Sequence, residues 1–152
     1  ILWWSALPGA SRHHWGSDCD VIDRAALPPG VAPQLVPAEF AQGGPFARLD
    51  AWLEANMRRF GFFRPYVQDR GGVSPEPWHL SYAPVALPAA EALTVEVLGE
   101  ALRAASSGAA AGTGADTLLE GLDEVLAALP RIHSRYVATI DPPQARAAGL
   151  PA

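Results

Sequence analysis

The chain has 152 residues, enough for one domain with a sizeable core. Its hydrophobic residues make up 49% and its charged residues 18%, a globular rather than a disordered composition. A formal net charge of -5 argues against a nucleic-acid surface, since no basic patch is available to release counterions, and a single cysteine, Cys19, excludes an internal disulfide framework and a multi-thiolate zinc site.

The first residue is Ile1, and ILWWSALPG opens the chain on an apolar run. The run lacks the length and charged flank of a secretory signal and is far too short to span a bilayer. The chain is expected to begin inside a domain, with an upstream portion outside it. Residues 1–7 read as a short strand or a helix end stopped by Pro8-Gly9, and Ser11–Gly16 as a loop. A strand is allowed from Ser17 to Ile22, with Cys19 and Val21 on one face and Asp18, Asp20 and Ile22 on the other. Prolines at 28, 29, 33 and 37 make residues 24–38 an extended loop that allows a short strand at Gln34–Val36. Phe46, Leu49, Leu53, Met57 and Phe60 recur at helical spacing before Gly61, predicting a helix over about 45–60. FFRPY follows as a strand, DRGG as a tight turn and EPWHLSYAP as a second strand bounded by prolines.

Residues 89–105 then read as a helix and Ser106–Ala115 as a flexible connector. Asp116 or Thr117 can cap a third helix through about Ala128, with Leu118, Leu119, Leu122, Val125, Leu126 and Leu129 as its apolar face. PRIHSRYVATID allows a further short helix, and the last ten residues, 143–152, read as a frayed tail. The expected fold is α+β: a small, mostly antiparallel sheet with helices packed on its other face. The C-terminal helices, 89–140, would form a layer of one domain over residues 1–142, since about 60 residues make a poor independent core.

The stretch SRHHWGSDCD concentrates possible ligands. Zinc takes neutral imidazoles and carboxylates, and a catalytic site keeps three protein ligands and one open position. Asp20 lies seven residues after His13, and Gly16 between them allows a sharp turn. Downstream, His79 stands three residues after Glu76, and Pro77 between them prevents regular helix or ladder pairing. The resulting bend can put Glu76 and His79 on one side of a cavity, one to bind metal and the other to stand off as acid or base. Each residue has a plainer reading: solvated surface for the histidine pair, a turn cap for Asp20, a surface charge for Glu76, a core histidine for His79.

Taken together, Ser11, His13, Gly16 and Asp20, followed by Glu76, Pro77, Trp78 and His79, resemble the zinc D-alanyl-D-alanine carboxypeptidases and dipeptidases of the VanY and VanX type. That family carries Ser-x-His-x-x-Gly-x-x-x-Asp and Glu-x-x-His motifs, and the likeness covers roughly residues 5–83. The resemblance implies a hedgehog/D-Ala-D-Ala peptidase-like fold and a Zn2+ held by His13, Asp20 and His79. It also implies Glu76 as general base and Ser11 at the substrate end. Asp18 stands where the family usually has a small residue, and Ser81 where an arginine often follows the second histidine. The family's upstream arginine would fall outside this chain, because only twelve residues precede His13.

The remaining candidates are weighed one by one. Arg12 is either a surface arginine or a contact to the substrate carboxylate. Cys19, opposite in parity to Asp20, is expected as a buried structural thiol rather than a ligand. His14 is an alternate ligand or a solvated neighbour, and Asp18 either hydrogen-bonds a ligating histidine or is solvated. Trp15, Trp78 and Tyr82 wall a peptide groove or belong to the core, and His133 is structural. The implied partner is a peptidoglycan stem peptide ending in D-alanine, which places the protein in the periplasm or cell envelope. L,D-carboxypeptidase and endopeptidase chemistry share these ligands. A zinc-binding module without turnover and a metal-free structural domain are the other classes.

Overall fold

The computed structural model describes residues 1–106 and 121–143. Three short strands, β1 (Asp18–Asp20), β2 (Phe62–Phe63) and β3 (His79–Tyr82), form an antiparallel sheet in the order β1-β3-β2. Five α-helices accompany it among the described residues: α1 (Pro37–Phe40), α2 (Ala47–Asn56), α3 (Ala83–Ala92), α4 (Val95–Ser106) and α5 (Leu122–Ile132). The fold is therefore α+β, with a small antiparallel sheet and packed helices. None of the helices is long and apolar enough to cross a membrane among the described residues.

The sheet's two faces differ in kind. Leu80, on the central strand, packs against Leu53 and Met57 of the α2 segment, with Val21, Leu49 and Phe62 around them. Strand alternation then turns His79 and Ser81 to the opposite face, beside their cross-strand partners Asp20 and Asp18. Helix α2 therefore covers the apolar face and leaves the polar face to the site. A second cluster, Phe40, Phe46 and Trp78, sits against the segment entering β3. Glycine is required beside it, because a Cβ on Gly44 would lie 2.4 Å from the carbonyl oxygens of Ala38 and Glu39.

The third cluster joins the C-terminal helices to the motif-bearing start of the chain. Leu98, Leu102, Leu129 and Val137 bury against Ala10, with Leu7 packed alongside. Beyond α5 the chain winds through a π turn, His133–Val137, and then Asp141 straps the loop before β3. Its carboxylate accepts from the backbone N–H groups of Val67 and Gln68, and its own N–H donates to the Pro65 carbonyl.

Several elements differ from expectation. Residues 1–5 make a single turn closed by Trp4 and Ser5 N–H on the Ile1 carbonyl, not a strand. Gln34–Val36 forms no ladder; Glu39 reaches back from α1 to the N–H groups of Gln34 and Val36 and takes up the donors a strand partner would need. FFRPY pairs only over Phe62–Phe63, because Pro65 has no N–H to give a ladder. The helix expected over 89–105 is two helices. α3 starts early, at Ala83, with Pro84 in its first turn where no N–H is needed, and the break at Leu93–Thr94 lets the Thr94 hydroxyl accept from Val97 N–H at the start of α4. The helix over 45–60 runs as α2 followed by a tighter 3-10 turn, Met57–Phe60, ended by Gly61 at φ 82°. The cap at Asp116 or Thr117, the connector from residue 107 on and the tail from residue 144 on lie outside the described residues.

Candidate metal centre and its cleft

The polar face of the sheet carries Asp18 and Asp20 on β1 and His79 and Ser81 on β3, in the pairs Asp18↔Ser81 and Asp20↔His79. A 3-10 turn, Arg12–Trp15, brings His13 over this face. Gly16 ends the turn at φ 69° with its N–H on the His13 carbonyl, a conformation that favours glycine and lets the chain reverse into β1. His13 Nδ1 lies 3.3 Å from the Asp18 carbonyl. A carbonyl only accepts, so the proton belongs on Nδ1 and Nε2 is left as the donor atom, 3.7 Å from Asp20 Oδ1.

His79 is oriented from the other side. Its Nε2 lies 2.8 Å from Asp18 Oδ2, while Nδ1 faces Glu76 Oε2 at 2.9 Å and Asp20 Oδ1 at 3.9 Å. Glu76 is set by the backbone: its N–H donates to the Tyr66 carbonyl at 2.9 Å, and its carbonyl accepts from His79 N–H at 3.1 Å. Burial pushes the His79 pKa down, but the bonds to Asp18 and Glu76 and their charges outweigh it and raise it to about 8.

One donor atom each from His13, Asp20 and His79 lies within 4.8 Å of the others. Tetrahedral zinc at 2.0–2.1 Å from its ligands needs them roughly 3.4 Å apart. The two histidine-to-Asp20 separations, 3.7 and 3.9 Å, are thus a few tenths of an ångström wider than a bound ion requires. Two neutral imidazoles and one carboxylate are a suitable donor set, and a carboxylate behind the second imidazole is the usual support for a ligating histidine. The residues present therefore fit a divalent cation. They line a cleft of about 310 Å³ with Ser11, Arg12, Tyr66 and Glu76 on its walls.

A VanY family profile, described as D-alanyl-D-alanine carboxypeptidase, matches residues 1–85, more than half of the chain. The chain belongs to the VanY family. Two curated relatives are similar to this VanY family member. An uncharacterized protein of Haemophilus influenzae is 36% identical over 121 residues, covering 78% of this chain and 88% of its own length. A D-alanyl-D-alanine carboxypeptidase of Enterococcus faecalis is 34% identical over 82 residues, covering 52% of this chain and 25% of its own length. No solved structure matches. The family makes a carboxypeptidase-like, peptidase-type activity the coarse functional class.

Two expectations about side chains are corrected. Cys19 is exposed, not buried. It sits on an edge strand, beside Leu80 but beyond the cover of α2, and on the face away from the cleft. Partial burial, then the charges of Asp20 and Asp18, raise its pKa, so the thiol is a poor ligand. Arg12 is not a surface arginine: only 4% of it is exposed. Its Nε pairs with Asp18 Oδ2 at 2.8 Å, Nη2 donates to Ser81 Oγ at 2.7 Å, and its guanidinium lies 4.7 Å over the Trp15 ring. Nη1 alone has no partner.

Asp18 is buried and hydrogen-bonded to His79, not solvated. His14 is exposed and does not line the cleft. Ser11 is on the cleft wall. His133 lies away from it, with Nε2 donating to the Leu93 carbonyl at 2.7 Å. Of the aromatic candidates, Trp78 is in the core and also reaches the cleft, while Tyr82 stacks on Phe62 on the opposite face. Sequence reasoning missed Tyr66, whose ring stands edge-on to His79 at 5.2 Å, and Tyr136 and Trp4 on the cleft wall. No motif spacing marks them, since three distant segments supply one residue each.

Proposed function

We propose that the chain is a zinc-dependent peptidase acting on peptidoglycan stem peptides, with release of a C-terminal D-alanine as its reaction. The observation that carries the reading is the convergence of His13, Asp20 and His79 beside Glu76 in a cleft of a VanY family chain. His13, Asp20 and His79 are the metal ligands in this reading. Bound there, zinc supplies a Lewis acid that polarises a carbonyl and acidifies water near neutral pH. Glu76 is the general base: it takes the proton of the attacking water and delivers it to the leaving amine. Its position beside His79 Nδ1, 15% exposed, keeps it off the ligand set yet within reach of a reacting water.

Ser11 and Arg12, both on the cleft wall, are the contacts for the substrate carboxylate in this reading; Arg12 Nη1 has no partner but is buried, so the guanidinium reaches a substrate only if it shifts towards the cleft. With a net charge of -5 the protein has no general pull on an anionic peptide, so recognition must be local. Residues 1–142 act as one domain, and the substrate sets the place of action at the cell envelope.

The test is cleavage of a peptide ending in D-Ala-D-Ala by zinc-loaded protein, with free and amidated C-termini and with chelator controls. Cleavage of the free peptide alone, abolished by chelator, supports the reading. Equal cleavage of both overturns the carboxypeptidase reading in favour of an endopeptidase. Zinc binding without any cleavage favours a peptide-binding module.

A further inference from the structure

On the Nε2 side of His79, opposite Asp20 and Glu76, lies a closed polar cluster of Asp18, Arg12, Ser17 and Ser81, and its bonds to His79 have no part in the proposed chemistry. The Asp18 side chain is 0% exposed and that of Arg12 3%. Asp18 Oδ2 accepts from Arg12 Nε and from His79 Nε2, both at 2.8 Å. Oδ1 accepts from the hydroxyls of Ser17 at 2.8 Å and Ser81 at 2.9 Å. Four donors thus fill both oxygens and fix the carboxylate's rotation. A buried ion pair of this kind is weak support for stability, because desolvation of both charges offsets their attraction. Its effect here is geometric.

An ionised carboxylate can only accept, so His79 must keep its proton on Nε2. With Nε2 committed to Asp18, Nδ1 is the nitrogen left for a metal: it faces Asp20 and Glu76, shares a proton with Glu76 at 2.9 Å while no metal is bound, and offers its lone pair once that proton leaves. A second carboxylate so close to the site would otherwise add a negative charge to it; the Arg12 guanidinium cancels that charge at 2.8 Å. We propose that Arg12 and Asp18 are a positioning pair that locks His79 in the Nε2–H tautomer and presents its Nδ1 to the metal. The pair acts through His79 and touches neither substrate nor metal through Asp18. The inference rests on the metal-site reading above.

The experiment is a cobalt(II) titration of the purified protein followed by visible absorption. Long-range 1H–15N NMR of the metal-free protein, taken above about pH 9 where the His79 ring is neutral, reads its tautomer. The variants are Asp18→Asn, the double variant Arg12→Gln/Asp18→Asn, which leaves no orphaned charge, and Ser81→Ala. Affinity for cobalt should fall about 10–100-fold in both Asp18 variants. The double variant should unfold cooperatively, and its His79 signals should show mixed tautomers. Ser81→Ala removes one hydroxyl from the clamp without creating a charge, so it keeps the test intact where the other variants fail to fold; affinity should fall roughly 2–10-fold. Affinities within twofold of the parent, with an unchanged tautomer, would reduce the pair to a structural role. A parent protein that binds no cobalt overturns this inference and the metal-site reading together. A parent that binds cobalt and shows these losses but cuts no peptide leaves the positioning pair standing and overturns the peptidase reading alone.

Discussion

Glu76→Gln tests the division of labour in the cleft most directly. The substitution keeps the size of the side chain and the two backbone bonds that hold residue 76, to the Tyr66 carbonyl and from His79 N–H. It removes only the basic oxygen that lies 2.9 Å from His79 Nδ1. Loss of a positioned general base lowers turnover by about 10²–10⁴-fold, or about 2.7–5.5 kcal/mol of activation free energy. Because the interaction belongs to the transition state, kcat and kcat/KM should fall together. Bound zinc, measured by atomic absorption on the same preparation, should stay at the parent level. Glu76→Asp makes a graded companion. It keeps the carboxylate but withdraws it by about 1.5 Å, one carbon–carbon bond, and a misplacement of that order costs on the order of 10²-fold. Loss of zinc from Glu76→Gln would make Glu76 a ligand. Turnover within a few fold of the parent would remove it from the chemistry.

The ligand set gives a binding prediction: His13→Ala, Asp20→Ala and His79→Ala should each sharply reduce bound zinc, whereas His133→Ala, far from the cleft and bonded to the Leu93 carbonyl, should leave it unchanged. Full occupancy in His13→Ala would force a site rebuilt without that residue. For the metal-free protein, His79 has a folded pKa of about 8, above the unfolded value of 6.5. A raised folded pKa means the stabilisation is fully present below the unfolded value and is lost as pH rises through about 8. The loss is about 2 kcal/mol, or roughly 4–8 °C in Tm across that window, and a melting temperature in chelator that stays flat from pH 6 to 9 contradicts it. Leu98 is fully buried between α5 and the segment holding Ala10, so Leu98→Ala should cost about 2–5 kcal/mol in denaturant unfolding, and a loss below about 1 kcal/mol would mean that the C-terminal helices do not pack there.

Local chemistry in the sequence marked His13, Asp20, Glu76 and His79 as candidates, and only the resemblance to the VanY type divided them into ligands and base. His13 and Asp20 bracket a glycine that turns the chain, and Glu76 and His79 bracket a proline that bends it, so each half of the cluster is a property of a few consecutive residues. Alternation likewise sorted Cys19 against Asp18 and Asp20, although β1 ends at Asp20 and Ser17, Val21 and Ile22 fall outside the strand expected over 17–22, and period 3.6 found α2. What alternation could not supply was the width of the cover over each face. Cys19 has the parity of a core residue but stands on the edge strand, and only packing decides whether a helix reaches that far. Prolines misled for a related reason: Pro84 reads as a strand boundary, yet the first turn of a helix has no use for its missing N–H. The tertiary structure alone decided the fate of Arg12. A charged residue in a histidine-rich loop reads as surface, and nothing local announces that Asp18, Ser81 and the Trp15 ring close around it. Its partner Ser81 is 69 residues away in sequence. A buried charge is tolerable only where its partners converge, and that convergence is made by the pairing of β1 with β3.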